Sequence, residues 1–343
     1  MDYSLRVVHA IDDVEQTFWT LNRRNFAHLY RTPEYLRDSQ TRLGDQSIYV
    51  EVFRHSTPIA LIPVVLFHEE SGYPPFNPHQ MVREALSSDW IHGTVAASAV
   101  LFAWPCPILV NTSDIEWPTV MALLRSTLRE NFGVRYIVFA FMSSLDDPFS
   151  GSTFEPDVPV QVMPHKLYGV LDLESYGSLD GYRASLSRNA RRSFVVEERN
   201  LRRWGVKIEQ QPISAYHSLE IGVLGANVFE KYGTKVDPRV LESFAKHLDA
   251  TYGHAAGLFT AVKDSDLLSF SLYVVHDGVL HLKMLGRNYE LDRYGTYFSV
   301  GYHAPIQFGF RQGLRFIDYG PGAPGPKQRR GIDMIRTYAY VFS

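Results

Sequence analysis

Apolar and polar positions alternate in the N-terminal half of the chain, and the pattern predicts a β-hairpin. Residues 46–53 and 59–67 form two apolar runs on either side of a His-Ser-Thr-Pro turn. A stretch rich in Pro, Gly and Ser follows over residues 69–89 and predicts a long loop with at most one helical turn. Helical spacing then predicts a helix over Trp117–Phe132 that ends at Gly133, before a strand.

The C-terminal half repeats this arrangement more clearly. Asp277-Gly278 predicts a tight hairpin turn, because this dipeptide tolerates the positive φ that such turns require. The predicted elements are strands over residues 257–263, 267–275 and 279–285, a helix over residues 298–311 and a strand over residues 314–320. Their order is therefore β-β-β-α-β.

One short pattern occurs twice. Gly-Val-Arg-Tyr-Ile at 133–137 and Gly-Leu-Arg-Phe-Ile at 313–317 both lie where a predicted helix gives way to a strand, 180 residues apart. The repeat predicts two domains of similar fold, joined near residues 151–164. We place the domains at residues 1–160 and 161–343, with the active site in the second.

Composition narrows the class of protein. The chain has 343 residues, of which 45% are hydrophobic and 21% charged, so a substantial core is expected and general disorder is not. The formal charge of −3 gives no overall basic field, and a polyanion would have to meet a local cluster. Cys106 is the single cysteine, which rules out an intramolecular disulfide. No signal peptide or membrane-spanning run is visible, and a cytoplasmic location is expected.

A cationic amphipathic helix is predicted over residues 181–205. Seven arginines in this segment face two glutamates, and apolar residues can form a buried stripe. Arginine favours bidentate recognition of phosphate, although an ordinary solvated helix face would have the same composition. Both interpretations stay open. The proposed contacts to donor phosphates are Arg188, Arg191 and Arg192, together with Arg293 farther along the chain.

The segment DYGPGAPGPKQRRG, residues 318–331, follows the last strand of the β-β-β-α-β order. It is not a Walker-type phosphate loop, because Pro326 precedes Lys327 and Gln328 follows it, where that motif needs Gly before the Lys and Ser or Thr after it. It is not a disordered tail either, because the apolar residues 332–342 predict a final strand. The segment is expected to be a loop held at both ends, with Lys327 fixed within the fold.

These features resemble the FemAB-type branch of the GNAT acyltransferase superfamily. The resemblance rests on residues 256–290, the helix ending in Arg-Gln-Gly, and the loop with its Lys before Arg-Arg-Gly. Residues 32–67 and 185–205 are similar to other parts of the same branch. The resemblance implies an α/β (α+β) fold of two tandem GNAT-like domains, each a mixed central sheet flanked by helices. It also implies an enzyme that forms an amide by transferring an acyl or aminoacyl group to an amine, with Lys327 beside the reacting carbonyl.

The expected chemistry needs a cation for the carbonyl oxygen and a base for the amine. Lys327 fits the first role, since a preorganised positive charge stabilises a developing oxyanion. His281 is the candidate base, and Asp318 could orient the amine. On the strand that contains His281, Lys283 and Arg287 are expected on the same face and Met284 on the other. The proposed substrate-binding residues are Arg329, Arg330, Lys283, Arg287, Tyr319 and Glu230, the last on a loop.

The donor is less constrained. Coenzyme A users carry an Arg/Gln-x-x-Gly-x-Gly/Ala loop whose amides hold the pyrophosphate, and residues 291–305 lack this pattern. We therefore expect aminoacyl-tRNA as donor and a small-molecule or peptide-like amine as acceptor. An acyl-CoA-dependent N-acyltransferase is the alternative, and a non-catalytic RNA- or carbohydrate-binding relative is the second. No metal and no permanently bound cofactor are expected.

Overall fold

The computed structural model describes residues 2–20, 28–70, 77–98, 106–110, 115–143, 147–154 and 159–343. The first half contains, in chain order, strand β1 (Tyr3–Val8), helix α1 (Pro33–Leu43), β2 (Ser47–Arg54), β3 (Thr57–Phe67), α2 (Pro78–Leu86), β4 (Thr94–Ser98), β5 (Leu109–Val110), α3 (Trp117–Phe132) and β6 (Val134–Ser143). The predicted hairpin corresponds to β2 and β3, and the predicted helix to α3.

The second half contains β7 (Val160–Asp172), α4 (Leu179–Ser185), α5 (Arg188–Arg203), β8 (Lys207–Gln211), α6 (Ser218–Lys231), α7 (Pro238–Tyr252), β9 (Ala256–Lys263), β10 (Asp266–His276), β11 (Val279–Arg287), a π-helical turn (Ser299–His303), α8 (Ala304–Gln312), β12 (Phe316–Pro321), α9 (Pro324–Gln328) and β13 (Asp333–Phe342). The predicted order β-β-β-α-β is confirmed as β9, β10, β11, α8 and β12. The segment expected to be a loop after β12 contains the short helix α9.

Contacts divide the chain into two compact units. The first comprises Met1–Leu167 and Ile335–Ser343, and the second comprises Tyr168–Met334. This division differs from the expected boundary after residue 160, because the chain passes into the second unit within β7. The end of β13 belongs to the first unit since its residues pair with β6, from Thr337 opposite Ser143 to Phe342 opposite Ile137.

The two units have sheets of the same arrangement, with six consecutively paired strands and one parallel pair in each. In the first, the order is β1-β2-β3-β4-β6-β13, and every neighbouring pair is antiparallel except β4 with β6. In the second, the order is β8-β9-β10-β11-β12-β7, and only β11 with β12 is parallel. Each parallel pair needs a crossover connection, which α3 and α8 supply. Two domains with mixed sheets flanked by helices, as predicted, are confirmed.

The repeated pentapeptide marks the equivalent place in both units. Gly133 ends α3 at φ 65°, and Gly313 ends α8 at φ 64°. This left-handed conformation favours glycine because a Cβ atom is strained there. In both units the chain turns at this glycine and enters the strand that pairs in parallel.

Two predictions about helices are wrong. Residues 69–89 contain α2, nine residues long, because Asn77 caps it by accepting from the backbone N–H of Gln80, and Pro78 starts it. The predicted continuous basic helix is two helices, α4 and α5. The first ends at Ser185 with Leu186 as its C-cap, and Ser187 caps the second, since its Oγ accepts from the N–H of Ala190 at 3.2 Å.

Among the described residues, no helix is both long enough and apolar enough to cross a lipid bilayer.

Candidate functional site

A buried His–Asp pair lies where β11 and β12 separate. The two strands pair in parallel only from Val279 opposite Phe316 to His281 opposite Asp318. At this last step His281 Nδ1 lies 2.9 Å from Asp318 Oδ2, and both side chains are 1% exposed. The structure thus brings the predicted base and the predicted carboxylate into direct contact.

Asp318 is held by further donors. Its Oδ1 accepts from the hydroxyl of Tyr168 at 2.6 Å and from the N–H of Gly320 at 2.9 Å. A carboxylate with this set of donors is fixed in orientation, so it fixes the imidazole ring that it contacts. Asp318 therefore orients the ring of His281, and its expected role toward the amine stays a prediction.

Burial sets the ionisation of His281. Burial lowers the pKa of its imidazole, and the charge of Lys283 lowers it further, while Asp318 acts in the opposite direction. Burial is the largest cause, so the neutral ring is favoured at neutral pH. With Nδ1 donating to Asp318, Nε2 carries the lone pair, and this arrangement lets a histidine accept a proton.

Lys283 lies at a β-bulge beside this pair. In the register of β10 with β11, Leu272 opposes Met284 and Tyr273 opposes Leu282, so Lys283 is an extra residue. Burial lowers the pKa of its partly buried ammonium to about 7, with the charge of Asp318 opposing the change. Lys283 therefore loses its proton at a lower pH than an exposed lysine does.

The same bulge makes the predicted alternation along β11 wrong. Leu280 and Leu282 pack in the apolar core that includes α5 and α8, as expected. Beyond the bulge, however, Leu285 joins that core, and Met284 lies against Gly225 of α6. An extra residue reverses the alternation, so Arg287 does not share a face with His281.

Lys327 is buried beneath the turn that follows Asp318. Its side chain is 4% exposed, and its Nζ donates to the carbonyl oxygens of Tyr319, Gly320 and Pro321 at 2.9, 2.6 and 3.1 Å. These bonds use all three N–H groups of the ammonium. Burial lowers the pKa of Lys327 to about 8, against the opposing charge of Asp318. The cation is fixed within the fold, as expected, and it holds the turn.

Two of the other predicted residues near this turn pack among aromatic rings. Tyr319 stacks on Tyr302 with the ring centroids 5.4 Å apart. The guanidinium of Arg330 lies 4.1 Å from the centre of the Phe298 ring and 4.7 Å from that of Tyr302, and it donates to the carbonyl of Pro326. Both side chains are buried, so they support the turn from below. Arg329, by contrast, is exposed.

Arg287 belongs to a different group, which is built around Asp292. The buried Asp292 carboxylate accepts from Arg287 Nε at 2.7 Å and from the hydroxyl of Thr296 at 2.9 Å. It also accepts from the N–H groups of Tyr294 and Thr296, at 3.1 and 3.4 Å. An internal carboxylate thus takes two N–H groups of the loop that leads from β11 to the π-helical turn, close to where a bound pyrophosphate would need free N–H donors.

The remaining predicted residues are exposed. Arg188, Arg191 and Arg192 lie on the solvent side of α5, while Phe194 and Leu201 are buried beneath it. The loop residue Arg293 is exposed beside Asp292. Glu230 is exposed in the last turn of α6, so its predicted loop position is wrong.

Sequence reasoning missed Tyr168. It donates to Asp318 across 150 residues of chain, because β7 pairs antiparallel with β12. Its local sequence, Lys-Leu-Tyr-Gly-Val, carries no sign of the contact. The pairing of β7 with β12 was the missing information.

We expect Tyr168→Phe to lower the free energy of unfolding by ~2 kcal/mol, the usual loss for a buried hydrogen bond to a charged group. Urea denaturation measures this loss. Tyr216→Phe is the matched control, since that hydroxyl makes a longer bond of 3.3 Å to the neutral Thr260 hydroxyl. Equal losses in the two variants would show that the bond to Asp318 contributes nothing special.

Comparison with solved structures shows a shared fold over most of the chain. FemX matches with a TM-score of 0.56 at 10% identity, over 97% of this chain and 96% of that chain. L-PGS from Bacillus licheniformis matches with a TM-score of 0.52 at 10% identity, over 90% and 91% of the two chains. A tandem GNAT protein from the clavulanic acid biosynthesis pathway matches with a TM-score of 0.51 at 12% identity, over 99% and 98%.

No curated protein matches the sequence. A family model does: the FemAB-like family, described as peptidoglycan biosynthesis/recognition, matches residues 168–342, just over half of the chain. The matched residues include the His281–Asp318 pair, Tyr168 and Lys327. The tandem GNAT arrangement and the resemblance drawn from the sequence are thereby confirmed, and the chain belongs to the FemAB-like family.

Proposed function

We propose that the protein transfers an aminoacyl group from aminoacyl-tRNA to the amine of a peptide-like or small-molecule acceptor. The observation that carries this proposal is the buried His281–Asp318 pair at the point where β11 and β12 separate. No ladder pairing joins the described residues of β11 and β12 beyond this step, and the fixed pair lies at that end of the ladder. Peptides of peptidoglycan precursors are the first acceptors to test, given the description of the family.

In the proposed reaction the amine attacks the ester carbonyl of the donor. The nitrogen forms a bond to the carbonyl carbon and gives its proton to Nε2 of His281. Asp318 then stabilises the imidazolium that results, as a buried carboxylate hydrogen-bonded to Nδ1 does. Collapse of the intermediate releases the ribose oxygen of the tRNA, which takes up that proton, so charges and atoms balance.

We propose an electrostatic role for Lys327. All three of its N–H groups are used by carbonyl oxygens, so it acts through its charge and through the turn that it fixes. A positive charge held in a site that excludes water stabilises a developing oxyanion more than it would in water. Lys327 would therefore stabilise the carbonyl oxygen of the intermediate by its charge, without a direct hydrogen bond from Nζ.

The choice of donor rests on Asp292. Its carboxylate already accepts two N–H groups, those of Tyr294 and Thr296, in the loop between β11 and the following helix, and it adds a negative charge there. A pyrophosphate would lose these donors and meet that charge, so coenzyme A is disfavoured. The exposed arginines of α5 offer an alternative surface for the phosphates of a tRNA.

The test offers each donor separately with a panel of amines. Radiolabelled aminoacyl-tRNA pools and acyl-CoAs would be incubated with precursor peptides and small amines, and labelled amides would be counted. We expect labelled amide when aminoacyl-tRNA is the donor. Product from acyl-CoA alone would favour the N-acyltransferase, and product from neither donor would favour a binding protein.

Reversing charge on α5 tests the tRNA surface. We expect Arg188→Glu with Arg192→Glu to weaken tRNA binding and to reduce the slope of log affinity against log salt by ~2. Both arginines are exposed, so the fold should tolerate the change. Filter binding at several salt concentrations gives the slope.

The matched control is Lys235→Glu with Arg239→Glu, which removes the same charge from exposed positions at the start of α7. The control should keep the wild-type slope. An unchanged slope in the α5 variant, or an equal change in both, would return α5 to an ordinary solvated surface.

The charge of Lys283 should shift the acid limb of kcat/KM against pH, because it acts on the pKa of His281. Its positive charge lowers the pKa of His281, so Lys283→Met should raise that pKa. Because the protonated imidazole cannot accept a proton, the acid limb of kcat/KM against pH should move to higher pH. The exposed Lys207→Met serves as control. An acid limb that stays in place or moves to lower pH would show that the ionisation of His281 does not control the rate.

A further inference from the structure

The first unit contains a cleft remote in sequence from the residues discussed above. It has a volume of about 460 Å³ and lies among the end of β3, helix α2 and the start of β4. Its lining includes Glu69, Glu70, His79, Arg83, Asp89 and Trp90. None of these has a place in the proposed transfer reaction.

The charge in this cleft is unbalanced. Three carboxylates face one guanidinium, and Arg83 is already paired with Glu70. Glu69 and Asp89 are exposed and make no ion pair with any residue that the structure describes. The cleft therefore has two carboxylates whose charge a ligand could meet.

An exposed indole forms part of the same wall. Trp90 is 79% exposed, more than any other large apolar side chain in the described part of the chain. A cation over the face of an indole is stabilised by the ring quadrupole, and Trp is the best of the aromatic residues for this contact. Carboxylates beside an indole are the combination that recognises an organic ammonium ion.

His79 supplies an independent sign of a ligand. Its side chain is 5% exposed, it lines the cleft, and its Nδ1 has no hydrogen-bond partner among the described residues. Burial lowers the pKa of His79, so the ring is neutral near pH 7 and adds no repulsive charge. Buried polar atoms in native proteins rarely lack a partner, and a ligand in this cleft would offer one.

A metal ion fits the cleft less well. No group of three or more His, Cys, Asp or Glu side chains in the described ranges is placed to hold a metal ion. The indole has no role in such a site either, whereas it has one for an ammonium group with a hydrocarbon body.

We propose that this cleft binds a primary organic ammonium ion, held by the carboxylates of Glu69 and Asp89 and by a cation–π contact with the ring of Trp90. The ligand is bound and not transformed, which makes the site additional to the transfer reaction. Its occupation can be tested without any assay of that reaction.

The probe is cadaverine, with 1,5-pentanediol as a neutral counterpart of the same length. Both are titrated into isotopically labelled protein, and the indole N–H resonance of Trp90, assigned through Trp90→Phe, reports binding. We expect cadaverine to bind ~10-fold more tightly than the diol, in line with a cation–π contact plus two carboxylates.

Removing the two charges should abolish this preference. Glu69→Gln with Asp89→Asn is expected to weaken cadaverine ~10-fold and to leave the diol unchanged. Glu34→Gln with Asp45→Asn is the matched control, because both carboxylates are exposed elsewhere in the same unit. Equal binding of amine and diol, no saturable response, or full affinity in the Glu69 and Asp89 variant would each overturn the proposal.

Discussion

The Asp318→Asn variant is expected to transfer the aminoacyl group ~10³-fold more slowly than the wild type. The reason lies in which donors surround the carboxylate. Oδ1 accepts from Tyr168 and from the N–H of Gly320, so the Asn oxygen must stay on that side. The amide NH₂ then faces Nδ1 of His281, which can only accept from it. The ring proton moves to Nε2, and His281 loses the lone pair that takes the proton of the amine.

Separate kinetic constants test this explanation. The loss should fall on kcat at saturating donor, with little change in KM for the tRNA, because Asp318 acts through the His281 ring that it contacts and not on the donor itself. Tyr168→Phe keeps the carboxylate and should keep most of the rate. A near-normal kcat for Asp318→Asn would remove the pair from the chemistry.

The second large effect is expected from Lys327→Met, which keeps the length of the side chain and removes its charge. Three backbone carbonyls of the turn after Asp318 lose their donor, so the free energy of unfolding should fall by ~3 kcal/mol. Transfer should fall ~100-fold at a temperature where the variant is still folded, as it does when an oxyanion-stabilising group is lost. The exposed Lys235→Met is the control for a change of charge alone.

Alkaline pH distinguishes the contribution of Lys327 to stability. Its pKa is about 8 in the folded protein, below the ordinary 10.5 of an unfolded chain. Above pH 8 the unfolded chain binds more protons than the folded one, so this group makes stability rise with pH toward 10.5. The difference in unfolding free energy between wild type and Lys327→Met should therefore grow across this window. A constant difference would show that Lys327 does not titrate as its burial implies.

Much of the fold could be predicted because local patterns decide it. Apolar runs gave β2 with β3 and the strands β9 to β12, and the repeat at Gly133 and Gly313 indicated the duplication. Capping decided the places where prediction failed. Asn77-Pro78 starts a helix inside a polar stretch, and Ser187 caps a second helix within a segment that was predicted to be one helix. In both places a single side-chain hydrogen bond outweighed the composition around it.

The sequence predicted which residues form the candidate site but not the contacts between them. His281 and Asp318 were named from residue type and position, the role of Lys327 was also implied by the family resemblance, and the structure brings the first two into contact. The bulge at Lys283 and the contact of Tyr168 depend on strand register, which no local pattern in the sequence carries. The carbonyl partners of Lys327 depend equally on how the turn folds back over the lysine.

A competition between two labelled donors shows which of them the protein uses. Aminoacyl-tRNA labelled with carbon-14 and acetyl-CoA labelled with tritium would be mixed with the same amine and the protein, and the amide products would be counted for both labels. We expect carbon-14 and no tritium in the amide product, and we expect the carbon-14 product to be lost in His281→Ala. Tritium alone, or carbon-14 product that is unchanged in His281→Ala, would contradict the proposed reaction.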